Sequence, residues 1–267
     1  MTSARRPTIA DLRALKGRRQ LAMLRVETLD EAQAAQQAGV DIVSVPPALL
    51  TPAFREAAPT LFAIPGLEYG DFVTAEEYLR AAFKAIKAGG DAVYCAASMG
   101  IVRRLRDEGI PVCGHSGLIP SQCTWTGGFK AVGKTLDTAL LVWNQVKALE
   151  EAGAFAAEIE VVPAAVAAEI SARTSLLLIS MGAGAGCDAQ YLFASDVLGA
   201  NTGHIPRHAK VYRHFAAEYQ RLQQERVAAF TEYAQDVTRG SYPEAQHQVG
   251  VDDEVLARFR EAIGPQG

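Results

Sequence analysis

The sequence lacks paired cysteines, an excess of positive charge and any long apolar run. Its four cysteines show no C-x-x-C spacing, which argues against a zinc knuckle or a disulfide framework. A formal net charge of −4 provides no electrostatic footprint for nucleic acid. No apolar run approaches the roughly 20 residues that span a bilayer, and the N-terminus has no secretion-signal pattern. These absences predict a cytoplasmic globular protein without nucleic-acid or membrane partners.

What the chain does contain is a regular alternation of short apolar runs and longer amphipathic stretches. With 267 residues, 49% of them hydrophobic, it can bury the core of one large domain or two small ones, and no linker separates two. The predicted strands are Leu21–Val26, Asp41–Val45, Thr60–Ile64, Asp91–Cys95, Ile110–Gly114, Phe155–Val161, Ser175–Met181 and a weaker one near Asp196–Gly199. The predicted helices include Thr28–Ala38, Thr74–Ala88, Ile101–Asp107, Thr135–Ala152 and Ala164–Arg173.

Glycine turns join four of these helices to the strands that follow, in AGVDIVSV, AGGDAVYC, EGIPVCG and AGAFAAEIEV. Glycine at a helix C-terminus followed by a buried strand is typical of an αβ loop. An open doubly wound sheet usually carries a glycine-rich turn after its first strand, and RVETLDEA has no glycine. Eight βα units in a chain of this length therefore predict an α/β fold of the (β/α)8 TIM-barrel type.

The C-terminal part has a different pattern, a long charged helical stretch without strand signals. We expect one barrel domain over residues 1–267, with 211–240 as an appended helical region and 243–267 as a C-terminal tail. Such helices often pack between subunits, so we expect a homo-oligomer. His208 and His214 are assigned to the appended helical region and are interpreted as surface residues.

His115 is the first candidate functional residue, because it lies where a short apolar run meets a long loop rich in Gly, Ser and Pro. The functional groups of a barrel enzyme lie at the C-terminal ends of its strands. The alternative is a hydrogen-bonded histidine with a structural role. Its companions at other strand ends favour a functional site.

Glu158 and Glu160 alternate within EIEVV and therefore point to the same face of their strand. Two carboxylates facing a barrel interior cost several kcal/mol unless they are hydrogen-bonded, protonated or paired. Desolvation raises the pKa of a carboxyl group, which suits Glu160 to act as a general base. The alternative makes both residues salt-bridge partners of Arg25 or of a helix.

The remaining candidates are expected to bind the substrate. Arg25 and Tyr94 lie at the ends of their predicted strands, as Glu158 does. Ser180 and Gly182 begin a glycine-rich turn whose backbone amides could bind a carboxylate or a phosphate. His204 lies in the later TGHIPRH segment.

Five segments in order resemble the ketopantoate hydroxymethyltransferase family of the phosphoenolpyruvate mutase and isocitrate lyase superfamily. They are IPVCGHSGLIPSQCTWTGGFKAVGKT, ALEEAGAFAAEIEVVPAAVAAEIS, MGAGAGCDAQYLFASDVLG, TGHIPRHAKVY and GSYPEAQH. The resemblance implies a homo-oligomeric (β/α)8 barrel that transfers a hydroxymethyl group from methylenetetrahydrofolate to a branched 2-oxo acid held by magnesium. It also implies that Glu160 is the catalytic base and that His115 contacts the substrate.

The chain departs from this family where the metal ligands are expected. Pro46-Pro47-Ala48 replaces Gly-Asp-Ser, Ala63-Ile64-Pro65-Gly66 lacks an aspartate, and Tyr94-Cys95-Ala96 replaces Lys-x-Glu. A hard dication needs several oxygen ligands, usually with one or two carboxylates. We therefore expect no magnesium and assign no metal ligand. Methylenetetrahydrofolate remains a candidate cosubstrate.

Three functions remain open at this point. The first is a metal-independent enzyme of aldol, one-carbon-transfer, lyase or decarboxylase type that acts on a small oxo acid, with Glu160 as base and His115 as the substrate-polarising group. The second is a genuine 3-methyl-2-oxobutanoate hydroxymethyltransferase whose metal ligands have moved, for example to Glu27, Glu68 and Glu158. The third is a non-catalytic paralogue that binds a metabolite. The exact substrate and the direction of reaction stay undetermined.

Overall fold

The computed structural model describes residues 5–264. Eight parallel strands close into a barrel in chain order, with β1 pairing β8. The strands are β1 (Leu21–Arg25), β2 (Ile42–Val45), β3 (Phe62–Leu67), β4 (Val93–Cys95), β5 (Val112–Gly117), β6 (Ala156–Glu160), β7 (Leu177–Met181) and β8 (Ala189–Phe193). The predicted (β/α)8 architecture is confirmed.

One helix precedes the first strand, and the others follow the strands around the outside of the barrel. They are α1 (Ile9–Arg13), α2 (Leu29–Ala38), α3 (Pro52–Ala57), α4 (Ala75–Lys87), α5 (Met99–Asp107), α6 (Cys123–Thr126), α7 (Leu136–Glu151), α8 (Ala164–Ser171) and α9 (Ala194–Val197). Each of the helices α2, α4 and α7 has a threonine at its N-cap, namely Thr28, Thr74 and Thr135. Each threonine side chain accepts a hydrogen bond from a backbone amide of the first turn. Gly39 ends α2 with φ of +74°, which is the glycine turn predicted before β2.

The strand that carries His115 is held close to α7 by the absence of a side chain at Gly114. A Cβ at that position would collide with Leu149 of α7. Leu149 and the apolar side chains around it fill the layer between strands and helices. A second apolar cluster, which includes Met23, Ile64 and Ile179, fills the barrel interior. The interior of the barrel is therefore a packed apolar core.

The predicted eighth strand is wrong. Residues 196–199 lie in and just after α9, whereas β8 is formed by Ala189–Phe193. Ala189 and Tyr191 pack in the interior cluster, and the side chain of Gln190 bonds to Gly184 O. This alternation is a strand signal, but it is only five residues long and follows the glycine-rich turn closely, so the sequence does not distinguish it from a loop.

The chain divides into two compact units between Arg213 and His214, close to the predicted start of the appended region at residue 211. The second unit contains α10 (Phe215–Arg239) and α11 (Asp253–Ile263). The helix α11 lies within the segment interpreted as a tail and was not predicted. Its N-cap, Asp252, accepts a hydrogen bond from the amide of Glu254. Between residues 5 and 264, no helix is both long and apolar enough to cross a membrane.

Candidate active site

Three ionisable side chains meet where β5 and β6 run side by side. The strand register places His115 opposite Glu158 and Gly117 opposite Glu160. His115 Nδ1 lies 3.5 Å from Glu158 Oε2, and His115 Nε2 lies 3.2 Å from Glu160 Oε2. One imidazole therefore lies between two carboxyl groups that share a face of β6, as the alternation in the sequence predicts.

Both ring nitrogens of His115 are engaged by the protein. Nε2 lies 2.9 Å from the carbonyl oxygen of Leu118, so it carries a proton and donates it there. Nδ1 lies 2.7 Å from the hydroxyl of Tyr94, which donates to it when the ring is neutral. His115 is buried. The role of His115 in polarising the substrate therefore stays a prediction, and both of its ring nitrogens already have partners within the protein.

The protonation of His115 is set by opposing influences. Burial lowers its pKa, whereas the hydrogen bond to Glu160, the charges of Glu158 and Glu160 and the bond to Leu118 raise it. The net shift is upward. The two carboxyl groups therefore favour the imidazolium form of His115, and this cation would hold the carboxylate of Glu160 in place.

Glu158 is the more deeply buried of the two carboxyl groups, with 6% of its side chain exposed against 14% for Glu160. Burial raises the pKa of Glu158 to about 7, and Glu160 adds to that rise. The charges of His115 and Arg25 oppose it. Glu158 is thus close to neutral under conditions in which an ordinary carboxyl is ionised.

Arg25 ends β1 at the mouth of the barrel. Its Nε donates to Glu27 Oε1 at 2.6 Å, and its Nη1 donates to Ser44 Oγ at 3.3 Å. Glu158 and Glu160 are not its salt-bridge partners, so the structural alternative considered for them is wrong on this point. The guanidinium instead brings a positive charge to the end of β2.

Glu160 opens onto a cavity of about 680 Å³ at the C-terminal end of the barrel. Tyr191, Met181 and Gly182 line it near Glu160, and Leu118 and Phe193 add apolar surface. Its outer part carries the cationic side chains Lys130, Lys134 and Arg207. The cavity is lined by two carboxylates, Glu160 and Asp196, and by these three cations, and the excess of positive charge suits a small anionic molecule.

His208 was wrongly interpreted as a surface residue of the appended helix. It lies in the loop before α10, is half-buried and lines the same cavity as Glu160. Gly182, with φ of +73°, leaves room for its ring, because a Cβ there would lie 2.8 Å from His208 Nδ1. Burial lowers the pKa of His208. The one sequence signal for this contact was the glycine-rich turn itself.

Gly182→Ala is expected to lower the free energy of unfolding and to weaken substrate binding. The left-handed backbone alone costs about 1–2 kcal/mol for a non-glycine residue, and the new methyl group must also displace His208. Gly39→Ala is the matched control, since its φ of +74° is the same and nothing lies within 4 Å of its Cβ. Urea unfolding should show both losses, whereas only Gly182→Ala should raise KM. An equal KM for the two variants would contradict the assignment of His208 to the site.

Two predicted substrate-binding residues are placed differently. The Ser180 hydroxyl is buried and accepts the amide of Ala183, so it closes the glycine-rich turn. His204 is exposed, belongs to the loop after α9 rather than to a strand end, and lines the outer part of the cavity. His214 is exposed at the start of α10, as expected for a surface residue.

Comparison with known proteins identifies the family. The family model described as ketopantoate hydroxymethyltransferase matches residues 47–245. The chain belongs to the ketopantoate hydroxymethyltransferase family. This family member is 34% identical to a 3-methyl-2-oxobutanoate hydroxymethyltransferase of Nitratidesulfovibrio vulgaris, over 97% of this chain and 91% of that protein. It is 36% identical to the enzyme of that name from Thermus thermophilus, over 91% and 99% of the two chains.

A solved structure of 2,3-dimethylmalate lyase, a member of the PEP mutase/isocitrate lyase superfamily, has the same fold. The TM-score is 0.50 at 15% identity, over 97% of this chain and all of that one. At this identity the likeness concerns the fold alone. The family is thus shown by the sequence relatives, and the solved structure adds support for the barrel fold.

The donor atoms of this ketopantoate hydroxymethyltransferase family member do not fit the magnesium that the family resemblance implies. Pro46 and Ala96 stand just after the ends of β2 and β4 and offer no carboxylate, whereas Glu68 follows Leu67, the last residue of β3. Within residues 5–264, no group of three or more His, Cys, Asp or Glu side chains is arranged to hold a metal ion. The guanidinium of Arg25 bonds to Ser44 of β2 and to Glu27. A Cβ at Gly66 of β3 would lie 3.1 Å from Glu68 Oε1 and 3.9 Å from Arg25 Nη1, so Arg25 lies close to the carboxylates of Glu27 and Glu68. Its fixed positive charge disfavours a dication between them.

Proposed function

We propose that this protein is a metal-independent enzyme that enolises a small 2-oxo acid for carbon–carbon bond chemistry, with Glu160 as the general base. The observation that carries the proposal is the Glu160 carboxylate, bonded to a buried imidazole and open to a cavity of about 680 Å³. The names of the relatives make 3-methyl-2-oxobutanoate the first substrate to test and hydroxymethyl transfer the first reaction.

The contacts of the site residues support a separate role for each of them. Glu160 removes a proton from the carbon next to the oxo group, and His115 holds the carboxylate in position. Arg25, held by Ser44 and Glu27, supplies a permanent cation for the carboxylate of the oxo acid. The cationic outer part of the cavity fits a second anionic reactant such as a folate.

The direct test follows exchange of the C3 hydrogen of 3-methyl-2-oxobutanoate in D₂O by proton NMR, with and without methylenetetrahydrofolate. We expect the exchange rate after exhaustive chelation to stay within about two-fold of the rate before it. Chelation should have no larger effect, because no metal ion stabilises the transition state of a metal-independent enzyme. The measurement compares chelated protein with protein supplied with Mg²⁺, Mn²⁺ or Co²⁺.

The other outcomes identify the alternatives. Activity that depends on an added metal would mean a genuine hydroxymethyltransferase with relocated ligands. A thermal shift with oxo acids, without exchange or turnover, would mean a non-catalytic metabolite-binding protein. Either result overturns the proposal.

A further inference from the structure

We infer that Glu158 is a second catalytic residue, a carboxylic acid that donates its proton to the carbonyl oxygen of the oxo acid while Glu160 takes the proton from carbon. The inference rests on the proposed function and extends it. It identifies the group that replaces a Lewis acid at this site.

The geometry singles out Glu158 among the polar groups of the barrel interior. Its ion-pair partner, His115 Nδ1, lies 3.5 Å away, beyond the usual N–H···O hydrogen-bond distance. That nitrogen is already bonded to the Tyr94 hydroxyl at 2.7 Å. A carboxyl group that is 94% buried, as calculated from its 6% exposure, and lacks a strong partner is costly as an anion. It is therefore kept neutral and is able to donate a proton.

The groups that face Glu158 from the surrounding strands support the neutral form. From β4 and β8 come the hydroxyls of Tyr94 and Tyr191, whose pKa values burial raises, so both remain uncharged. From β5 comes the thiol of Cys113, which also stays neutral because burial raises its pKa. On the β7 side the register neighbour is the apolar Ile179.

The charged neighbours oppose one another at Glu158. The positive charges of His115 and Arg25 favour its ionised form, although Arg25 is paired with Glu27 and His115 with Glu160, and burial outweighs them. Glu160 itself, on the same strand, disfavours a second negative charge beside it. Two carboxyl groups in different environments are thereby separated into a base and an acid.

The step balances without a further reactant. The C–H bond next to the oxo group breaks, its proton goes to a Glu160 oxygen, and the electron pair forms the C=C bond. The carbonyl oxygen takes the proton of Glu158, so the product is an enol rather than an enolate, and the carboxylate of the oxo acid keeps its charge. The ionised Glu158 left behind is stabilised by the adjacent His115. The reverse step in D₂O returns deuterium to carbon, so the exchange assay reports this chemistry directly.

Two substitutions separate proton donation from packing. Glu158→Leu removes the donor, and we expect exchange to fall by about 10²-fold, the usual effect of losing one oxyanion donor. Glu158→Gln keeps an N–H donor of similar shape, and we expect a loss of only about 10-fold. Glu169→Gln, an exposed residue of α8 outside the site, is the matched control and should exchange at the wild-type rate. Circular dichroism and thermal unfolding establish that the variants are folded.

The pH dependence gives a readout that packing alone would not change. Because the acid must be protonated, kcat/KM of the wild type should fall as pH rises through the pKa of Glu158, about 7. Glu158→Gln does not titrate, so its profile should lose this alkaline limb. Infrared spectroscopy of the resting protein should show a protonated carboxyl band that disappears as pH rises and is absent from Glu158→Gln.

Three results would overturn the inference. The first is an exchange rate of Glu158→Leu within about three-fold of the wild-type rate. The second is a fall in the exchange rate of Glu158→Gln as large as that of Glu158→Leu. The third is a Glu158 carboxyl group that remains ionised at pH 5. Failure of the proposed function looks different, because the wild type itself would then exchange no oxo acid.

Discussion

Glu160→Gln is expected to slow C3 exchange of 3-methyl-2-oxobutanoate by about 10²–10⁴-fold, the usual contribution of a positioned general base. The amide keeps the shape of the side chain but cannot take up a proton. His115 Nε2 would still donate to Leu118 O, so the imidazole should stay where it is. The effect should fall on kcat rather than on KM, because Glu160 contributes in the transition state.

Two further variants make this result interpretable. Glu160→Asp keeps the base but draws it back from the cavity, so it should recover part of the lost rate. Glu169→Gln makes the same chemical change on an exposed helix and should have no effect. Unchanged exchange by a folded Glu160→Gln would remove Glu160 from the mechanism and the proposed function with it.

The strand pattern of this chain predicts seven of the eight barrel strands, because each is a short apolar run bounded by a glycine turn or a helix cap. The exception, β8, shows the limit of that signal. Ala189–Phe193 begins three residues after the last glycine of the turn, and only its alternation distinguishes it from a loop. Closure of the barrel between β1 and β7 requires a strand there, and that requirement acts between elements distant in sequence.

The features of the site that arise within one strand could be predicted from the sequence. The contacts between residues of different strands or loops could not. The two-residue spacing of Glu158 and Glu160 fixes their common face. The bond of Tyr94 to His115 joins residues on neighbouring strands, and the seat of His208 on Gly182 joins two loops. The first of these contacts leaves no local pattern in the sequence, and the glycine-rich turn is the one signal of the second.

Asp188→Ala should produce the largest loss of stability among the substitutions considered, about 3–5 kcal/mol in the free energy of unfolding, as for a broken buried ion pair. Asp188 Oδ2 accepts from Lys16 Nζ at 2.6 Å, from Leu178 N at 2.8 Å and from Ser171 Oγ at 3.3 Å. Alanine would leave the ammonium without its counter-charge and the Leu178 amide without an acceptor.

Urea unfolding followed by tryptophan fluorescence measures this effect, because Trp125 and Trp143 both belong to the barrel unit. Asp107→Ala is the control, an exposed residue whose loss should cost no more than about 0.5 kcal/mol. Asp188 lies at the N-terminal end of β8, where barrel residues serve stability, whereas Glu158 and Glu160 lie toward the C-terminal end of β6. The exchange rate per folded molecule should therefore survive Asp188→Ala. A stability loss below about 1 kcal/mol would show that the network contributes little, and a lost exchange rate in a folded variant would contradict this separation of roles.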